Sequence, residues 1–397
     1  MVGNGAIGLP TKRARKGALD TADMELPLAQ MLDDKLARWA LGEYRACALE
    51  EVEAGLRKLY CKGEGDVAGI ENVRRLSGGS SKEQFVFDLQ TRDNPMPQKL
   101  VLRMDPRGGT VETLRSREAE VLEAVKGLLP APQVTWVDED GNVFGRPAMV
   151  TRWVDGVTSP SGDGARLSGL GTTFPEALRV SLSEDFMACL AAVHETDFRS
   201  ANLPSFSVPE AGSVQTALWQ VNFWSRVWRE DRSSTSPLFA MTEAWLRENL
   251  PVCERPVLLH GDYRMGNFMF DEGKGRITAV LDWELAHIGD YHEDVSYNLQ
   301  PVFCTPSPNG NRPVGGMFGR DEYLAAYERA SGNTINAETL HFYDVLNTYK
   351  LAIMNHASAA SAAREGVNHQ NVYLSYISAI SHVLVADLPS MLRGKWR

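Results

Sequence analysis

Cysteine is scarce and scattered in this chain, at Cys47, Cys61, Cys189, Cys253 and Cys304. No C-x-x-C pair occurs. That argues against a disulfide scaffold and a zinc site, and predicts reduced thiols and a cytoplasmic location. No run of about 18 apolar residues is present, so no membrane span is expected. The start is Gly-rich and basic without a following apolar stretch, so no secretory leader is expected either. Positive charge is in deficit: 41 Lys and Arg against 51 Asp and Glu leave a formal net charge of −10. Nucleic-acid binding needs clustered positive charge, so no nucleic-acid partner is expected. The one basic cluster, Lys12-Arg13-Ala14-Arg15-Lys16, falls in a start (1–27) that reads as a disordered tail. The G-x-x-x-x-G-K-[ST] pattern is also missing, so a P-loop is not supported.

What is present points to a folded chain of two lobes. Its 397 residues are 43% hydrophobic and 23% charged, the balance of a globular protein large enough for two lobes. Residues 28–60 show helical apolar spacing at Leu32, Leu36, Trp39 and Ala40 and would lead into the first lobe. Strand-like runs follow, separated by turn clusters such as Asp138-Glu139-Asp140-Gly141-Asn142. From Phe174 the pattern turns mostly helical.

The densest chemical signal is His260-Gly261-Asp262-Tyr263-Arg264-Met265-Gly266-Asn267, followed by Leu281-Asp282-Trp283-Glu284. Asp262 precedes Asn267 by five positions, and Asp282 follows Asn267 by fifteen. Phe268-Met269-Phe270 and Arg276–Leu281 are strand-like, and Asp271-Glu272-Gly273-Lys274-Gly275 is a turn cluster between them. A hairpin would therefore bring Asn267 beside Asp282. Two oxygen ligands at adjacent strand ends leave room for water and phosphate oxygens, which suits magnesium. The order and spacing match the H-R-D-x-x-x-x-N loop and later metal-binding Asp of kinases, with Gly261 in the place of Arg. Upstream, Leu76 to Phe87 reads as strand, small-residue turn and strand. The backbone N–H groups of Ser77, Gly78, Gly79, Ser80 and Ser81 could line phosphate oxygens there. Lys99 to Arg103 is a further strand ending in a cation. Arg115 to Leu122 is helical, with Glu118 as the preferred partner of Arg103 and Glu120 as the rival.

On these motifs the chain resembles the aminoglycoside-phosphotransferase-like, or choline-kinase-like, phosphotransferases over about residues 70–390. It is similar to a bacterial branch related to the kinase-like domain fused to some acyl-CoA dehydrogenases. The resemblance implies an α+β, bilobal, protein-kinase-like fold. An N-lobe of 28–152 would hold a small antiparallel sheet and the nucleotide, and a mostly helical C-lobe of 153–397 the catalytic loop. It implies ATP and Mg²⁺ as cofactors and transfer of a phosphoryl group to a hydroxyl of a small-molecule acceptor. Asp262 would be the catalytic base, and Asn267 and Asp282 the metal ligands. Arg103 and Glu118 would face the nucleotide. Met149, Val150 and Thr151 would border its adenine, with Met149 equally readable as core. His260, Glu284 and Asp290 would support the site, His260 by orienting the loop. Tyr291 departs from the family, which commonly has Pro after Gly289-Asp290.

The acceptor leaves less trace. Trp219, Phe223, Trp224 and Trp228 sit at helical spacing and read as core or as an aromatic acceptor wall. Glu284, Asp290, Glu293 and Asp294 could supply acidic charge for a polycation, although Asp290 and Asp294 read better as loop fixers. A kinase of a hydroxyacyl-CoA and a catalytically silent nucleotide-binding or scaffold module are the competing readings.

Overall fold

The computed structural model describes residues 23–42, 44–61, 67–76, 82–92, 96–161, 172–304 and 312–394. Helix α1 spans Leu26–Trp39, with Pro27 in its first turn, where proline's missing N–H costs nothing. α2 (Leu49–Tyr60) starts on a carboxylate cap, Glu51 accepting from the Ala48 N–H at 2.8 Å. Five strands follow: β1 (Val67–Arg75), β2 (Glu83–Thr91) and β3 (Gln98–Met104), then α3 (Arg115–Ala124), then β4 (Val134–Asp138) and β5 (Ala148–Arg152). They form one antiparallel sheet in the order β1-β2-β3-β5-β4. The period of two buries Phe85, Phe87 and Leu89 of β2 with Leu100, Leu102 and Met104 of β3, under Val52 and Leu56 of α2. Arg103 therefore emerges on the opposite face, where α3 lies.

The second lobe holds α4 (Glu176–Glu195), α5 (Gln215–Asp231) and α6 (Pro237–Glu248). Next come β6 (Val257–Leu259), the hairpin β7 (Phe268–Asp271) and β8 (Arg276–Val280), and β9 (His287–Gly289). α7 (His292–Asn298), α8 (Arg320–Ser331), α9 (Ala337–Ile353), α10 (Ala359–Glu365), α11 (Asn371–Ile380) and α12 (Leu388–Met391) complete it. The hairpin rests on a core of Phe186, Tyr263, Phe268, Phe270, Val280 and Trp283.

Three expectations differ from what is seen. Of the segment 1–27 read as a disordered tail, residues 1–22 lie outside the described residues, but Met24 and Glu25 are buried and a helix begins at Leu26. α1 does not lead into the sheet lobe either. Its Ala29, Met31 and Leu32 share a core with Phe223, Trp224 and Val227 of α5. Helical periodicity announces an apolar face without naming the surface that covers it. Third, Asn371–Met391 is long and apolar enough, by length and composition alone, to cross a bilayer. It is not one helix: a 3₁₀ turn, a run of turns and Asp387 separate α11 from α12.

Tyr291 leaves the turn after Gly289-Asp290 intact. It caps α7 at φ −56°, close to the angle a proline would fix, and its hydroxyl donates to Thr334 O at 2.7 Å.

Candidate active site

The fully buried β6 delivers residues 260–267 to the junction between the lobes. Gly261 adopts φ +78°, and a Cβ there would lie 2.3 Å from Leu285 O. That close approach requires glycine. Asp294 of α7 grips the loop from below, accepting from the His260 and Gly261 N–H groups at 2.8 Å each. His194 Nε2 lies 3.2 Å from the same carboxylate, and its Nδ1 2.8 Å from the Tyr327 hydroxyl. His194 thus holds the loop's anchor.

Burial alone would raise the Asp294 pKa. The hydrogen bond and charge of His194, the charge of His260 and the His260 N–H outweigh it and bring it down to about 2. A carboxylate held below its unfolded value stabilises the fold above that value, near pH 4. The contribution is lost as pH falls from about 4 to about 2. Wild type should therefore lose about 2 kcal/mol more than Asp294→Asn across that window. Urea denaturation at pH 6, 4 and 2 checks this; a stability gap between the two proteins that stays constant with pH would refute it.

His260 is sealed in the interior, and burial holds its imidazole below the ordinary value against the pull of Asp294 and Asp262. The ring pairs Nε2 with Leu281 O at 2.9 Å and accepts the Asp262 N–H on Nδ1 at 3.3 Å. It packs against Trp283, centroids 4.4 Å apart. One ring thus joins the loop to the strand end that precedes Asp282.

Asp262, Asn267 and Asp282 are brought to one place. Asn267 Nδ2 donates to Asp262 Oδ2 at 2.7 Å and to Asp262 O at 2.9 Å. The Leu281 N–H donates to Asn267 O at 2.7 Å, which closes the hairpin beside Asp282. Asp282 itself has a left-handed backbone, φ 67° and ψ 57°, and its side chain is 28% exposed. Arg264 Nε donates to Asp262 Oδ1 at 2.9 Å, with the guanidinium 5.2 Å from the Phe303 ring centroid. Burial, then the adjacent Asp262 charge, keeps the Tyr297 phenol protonated beside that carboxylate.

The residues suit magnesium. The Asn267 amide nitrogen is committed to Asp262, so its Oδ1 is the end left for a cation. Asp282 gives one oxygen to Arg103, and its other oxygen has no hydrogen-bond partner among the described residues. One carboxylate and one amide oxygen make the sparse oxygen set with which Mg²⁺ is held alongside phosphates.

The cationic side is a buried network. Arg103 pairs with Glu118 and reaches Asp282 Oδ1 with Nη2 at 2.8 Å. Of the two carboxylates weighed as its partner, Glu120 instead accepts from Ser205 N at 3.0 Å and Oγ at 2.6 Å. Arg115 bonds Asp105 at 3.0 Å and also pairs with Glu118. Lys82 is buried, 2.6 Å from Thr113 Oγ1, 3.1 Å from Asp105 and 3.4 Å from Glu284. Burial pushes the Glu284 carboxyl up to about 7, against the pull of Lys82 and with Asp282 adding to the rise.

Other expected residues fall differently. Ser77, Gly78, Gly79, Ser80 and Ser81 lie outside the described residues. Met149, Val150 and Thr151, expected to border an adenine, lie inside the sheet. β5 is paired with β3 on one side and β4 on the other, so its polar backbone groups are engaged in the sheet. The side chains of Met149 and Val150 are buried in core clusters on opposite faces. Asp290 holds the start of α7 through His292, Nδ1 at 2.6 Å. Glu293 is bound to His287 at 3.2 Å and Lys350 at 3.5 Å. Glu284, Asp290, Glu293 and Asp294 thus face partners inside the protein. Phe223, Trp224 and Trp228 are core. Arg264 and Lys82 were not anticipated. A cation two positions past Asp262 was the available signal for the first; nothing local marks the second.

A sequence model of the phosphotransferase enzyme family matches residues 72–343, and the chain belongs to that family. A stretch of 265 residues is 30% identical to mouse (Mus musculus) acyl-CoA dehydrogenase family member 10, covering 66% of this chain. The chain spans only 22% of that curated relative's length. Among solved structures, a Ralstonia eutropha protein described as a putative aminoglycoside phosphotransferase superposes with a TM-score of 0.63 at 22% identity, covering 88% of this chain and 99% of that one. The aminoglycoside phosphotransferase APH(4)-Ia, solved with AMP-PNP and hygromycin B, gives 0.57 at 16% identity, covering 86% and 98%. The fold is the expected bilobal, kinase-like α+β architecture, and the chain is a phosphotransferase.

Proposed function

We propose that the chain transfers the γ-phosphoryl group of ATP to a hydroxyl of a small molecule. The observation that carries this is the meeting of Asp262, Asn267 and Asp282 from one lobe with the Arg103–Glu118 pair of the other. The nucleotide lies between a lobe ending near 152 and one starting near 153. Asn267 and Asp282 hold magnesium, which spreads phosphate charge when bound. Arg103, fixed by Glu118, faces the phosphates. Asp262 accepts a hydrogen bond from the acceptor hydroxyl and aligns it. As its oxygen bonds to the γ-phosphorus, the bond to the bridging oxygen breaks, ADP leaves, and the hydroxyl proton passes to Asp262. Positioning and charge supply most of such a rate enhancement.

The inward commitment of Glu284, Asp290, Glu293 and Asp294 supports an acceptor other than a polycation, which would need free acidic walls. The relative named for acyl-CoA dehydrogenase activity favours a second reading, a kinase of a hydroxyacyl-CoA. A silent binding module fits less well, because Asp262, Asn267 and Asp282 are all present. The test is thermal shift with Mg·ATP, then acceptor-dependent ADP release over aminoglycosides, macrolides, amino alcohols, sugars and hydroxyacyl-CoA thioesters. Mg·ATP should stabilise the protein, and aminoglycosides should respond least. Failure of Mg·ATP to bind would overturn the reading.

A further inference from the structure

The helix that presents Glu118 to Arg103 is tied down on its other side by an ion pair that no part of the site explains. Arg117, one residue before Glu118, is nearly sealed from solvent. Its Nη1 meets Glu25 Oε1 at 2.6 Å and its Nη2 meets Glu25 Oε2 at 3.2 Å. Nη2 also donates to Ala286 O at 3.1 Å, and Nη1 to Ser205 O. The guanidinium lies 3.8 Å from the Phe206 ring centroid. Glu25 stands just ahead of α1, is equally buried, and also accepts from the Ser207 N–H at 3.1 Å. Every strong donor near this carboxylate is thus used, as a buried charge requires.

α1 is moored to the helical lobe. Lys35 forms a buried pair with Asp231 of α5. Arg226 of α5 bonds Asp33 at 2.6 Å and Ala29 O at 3.2 Å. Asn222 donates to Asp23 O at 2.7 Å. The chain therefore runs from a fixed helix on one lobe, through Glu25, to α3 on the other.

We propose that Asp23–Trp39 is a built-in strap on α3, and that Arg117 is a positioning residue which holds Glu118 where it meets Arg103. Ala286 lies four residues past Asp282, so the same guanidinium also ties α3 to the exit of the metal loop. The inference rests on the reading of Arg103 as the cation that faces nucleotide phosphates. If the strap is cut, α3 keeps its packing and its Glu120–Ser205 bonds but loses the ion pair that fixes Arg117 to the start of α1. Glu118, still paired with Arg115, is then less firmly set against Arg103, which points less well at the phosphates.

The full chain carries the test, with Mg·AMP-PNP as probe and calorimetric titration as readout. Glu25→Gln keeps the shape and removes the charge; it should weaken binding about fivefold, and Glu25→Ala about tenfold. Val345→Ala trims a sealed core residue of α9. It should lower Tm while leaving affinity within about twofold, because it trims packing in the core shared with α1 but leaves the Glu25–Arg117 ion pair in place. Hydrogen exchange gives a readout that needs no nucleotide: amides of 115–124 should lose protection in Glu25→Gln and keep it in Val345→Ala. Wild-type affinity together with wild-type protection of α3, in whichever Glu25 variant folds, overturns the strap. Wild-type protein that binds no Mg·AMP-PNP overturns the proposed function instead, and the exchange data still decide the strap.

Discussion

Asp262→Ala will lower acceptor-dependent ADP release by about a thousandfold or more, the scale of losing a positioned base. Mg·ATP affinity will stay within about threefold of wild type, because the change leaves the metal side standing. The geometry supports this split. Asn267 is anchored twice on residue 262, through the carboxylate at 2.7 Å and through the backbone carbonyl at 2.9 Å. The second bond survives any substitution at 262. The Asn267 amide keeps its nitrogen committed and its oxygen turned outward. The variant does release Arg264, whose Nε lies 2.9 Å from the lost Oδ1. Asp262→Asn is therefore the sharper companion, since it preserves volume and a polar partner while removing the basic oxygen. Both variants should bind nucleotide and fail to turn over. Full activity in either, on an acceptor that wild type phosphorylates, would show that the proton goes elsewhere.

The convergence of Asp262, Asn267 and Asp282 was legible because the geometry that joins them is local. Asp262 and Asn267 must share one loop, and a hairpin of fixed length brings Asp282 back to them, so spacing alone carries the geometry. The Arg103 partner was half legible. Helical pattern offered Glu118 and Glu120, and only the rotation of α3 against the sheet sends one to Arg103 and the other to Ser205. What could not be read depends on contacts far apart in the chain. Glu25 and Arg117 are 92 positions apart, and Asp294 lies more than thirty positions beyond the N–H groups it holds. No periodicity marks such pairs, because each residue alone reads as an ordinary polar surface position. The place of Met149, Val150 and Thr151 in the sheet was hidden for a similar reason. An apolar strand looks the same at an edge as in the middle of a sheet, and here the crossover that inserts β5 between β3 and β4 uses its backbone. α1 shows the same limit at a larger scale, where a clear apolar face was matched to the wrong lobe.

Asp282→Asn will weaken Mg·ATP binding about a hundredfold, the order expected when the charged member of a sparse magnesium site is neutralised. The choice of Asn matters. Residue 282 sits at φ 67° and ψ 57°, a left-handed conformation that Asn tolerates and that costs most other side chains about 1–2 kcal/mol. Asp282→Ala would mix that strain with loss of the ligand, whereas Asn isolates the charge. The neighbour on the other side sharpens the expectation. Arg103 Nη2 lies 2.8 Å from Asp282 Oδ1, so the carboxylate competes with phosphate for the same cation. Neutralising it leaves Arg103 held by Glu118 and freer to meet a triphosphate. Affinity for ATP in EDTA should then be unchanged or slightly higher in the variant, while the gain on adding magnesium collapses. Titration of ATP with and without the metal measures that gain directly. In wild type the two curves should separate widely, and in Asp282→Asn they should nearly coincide. A variant that keeps the full magnesium gain would mean that the cation is bound by other oxygens, and that Asp282 serves only to hold Arg103.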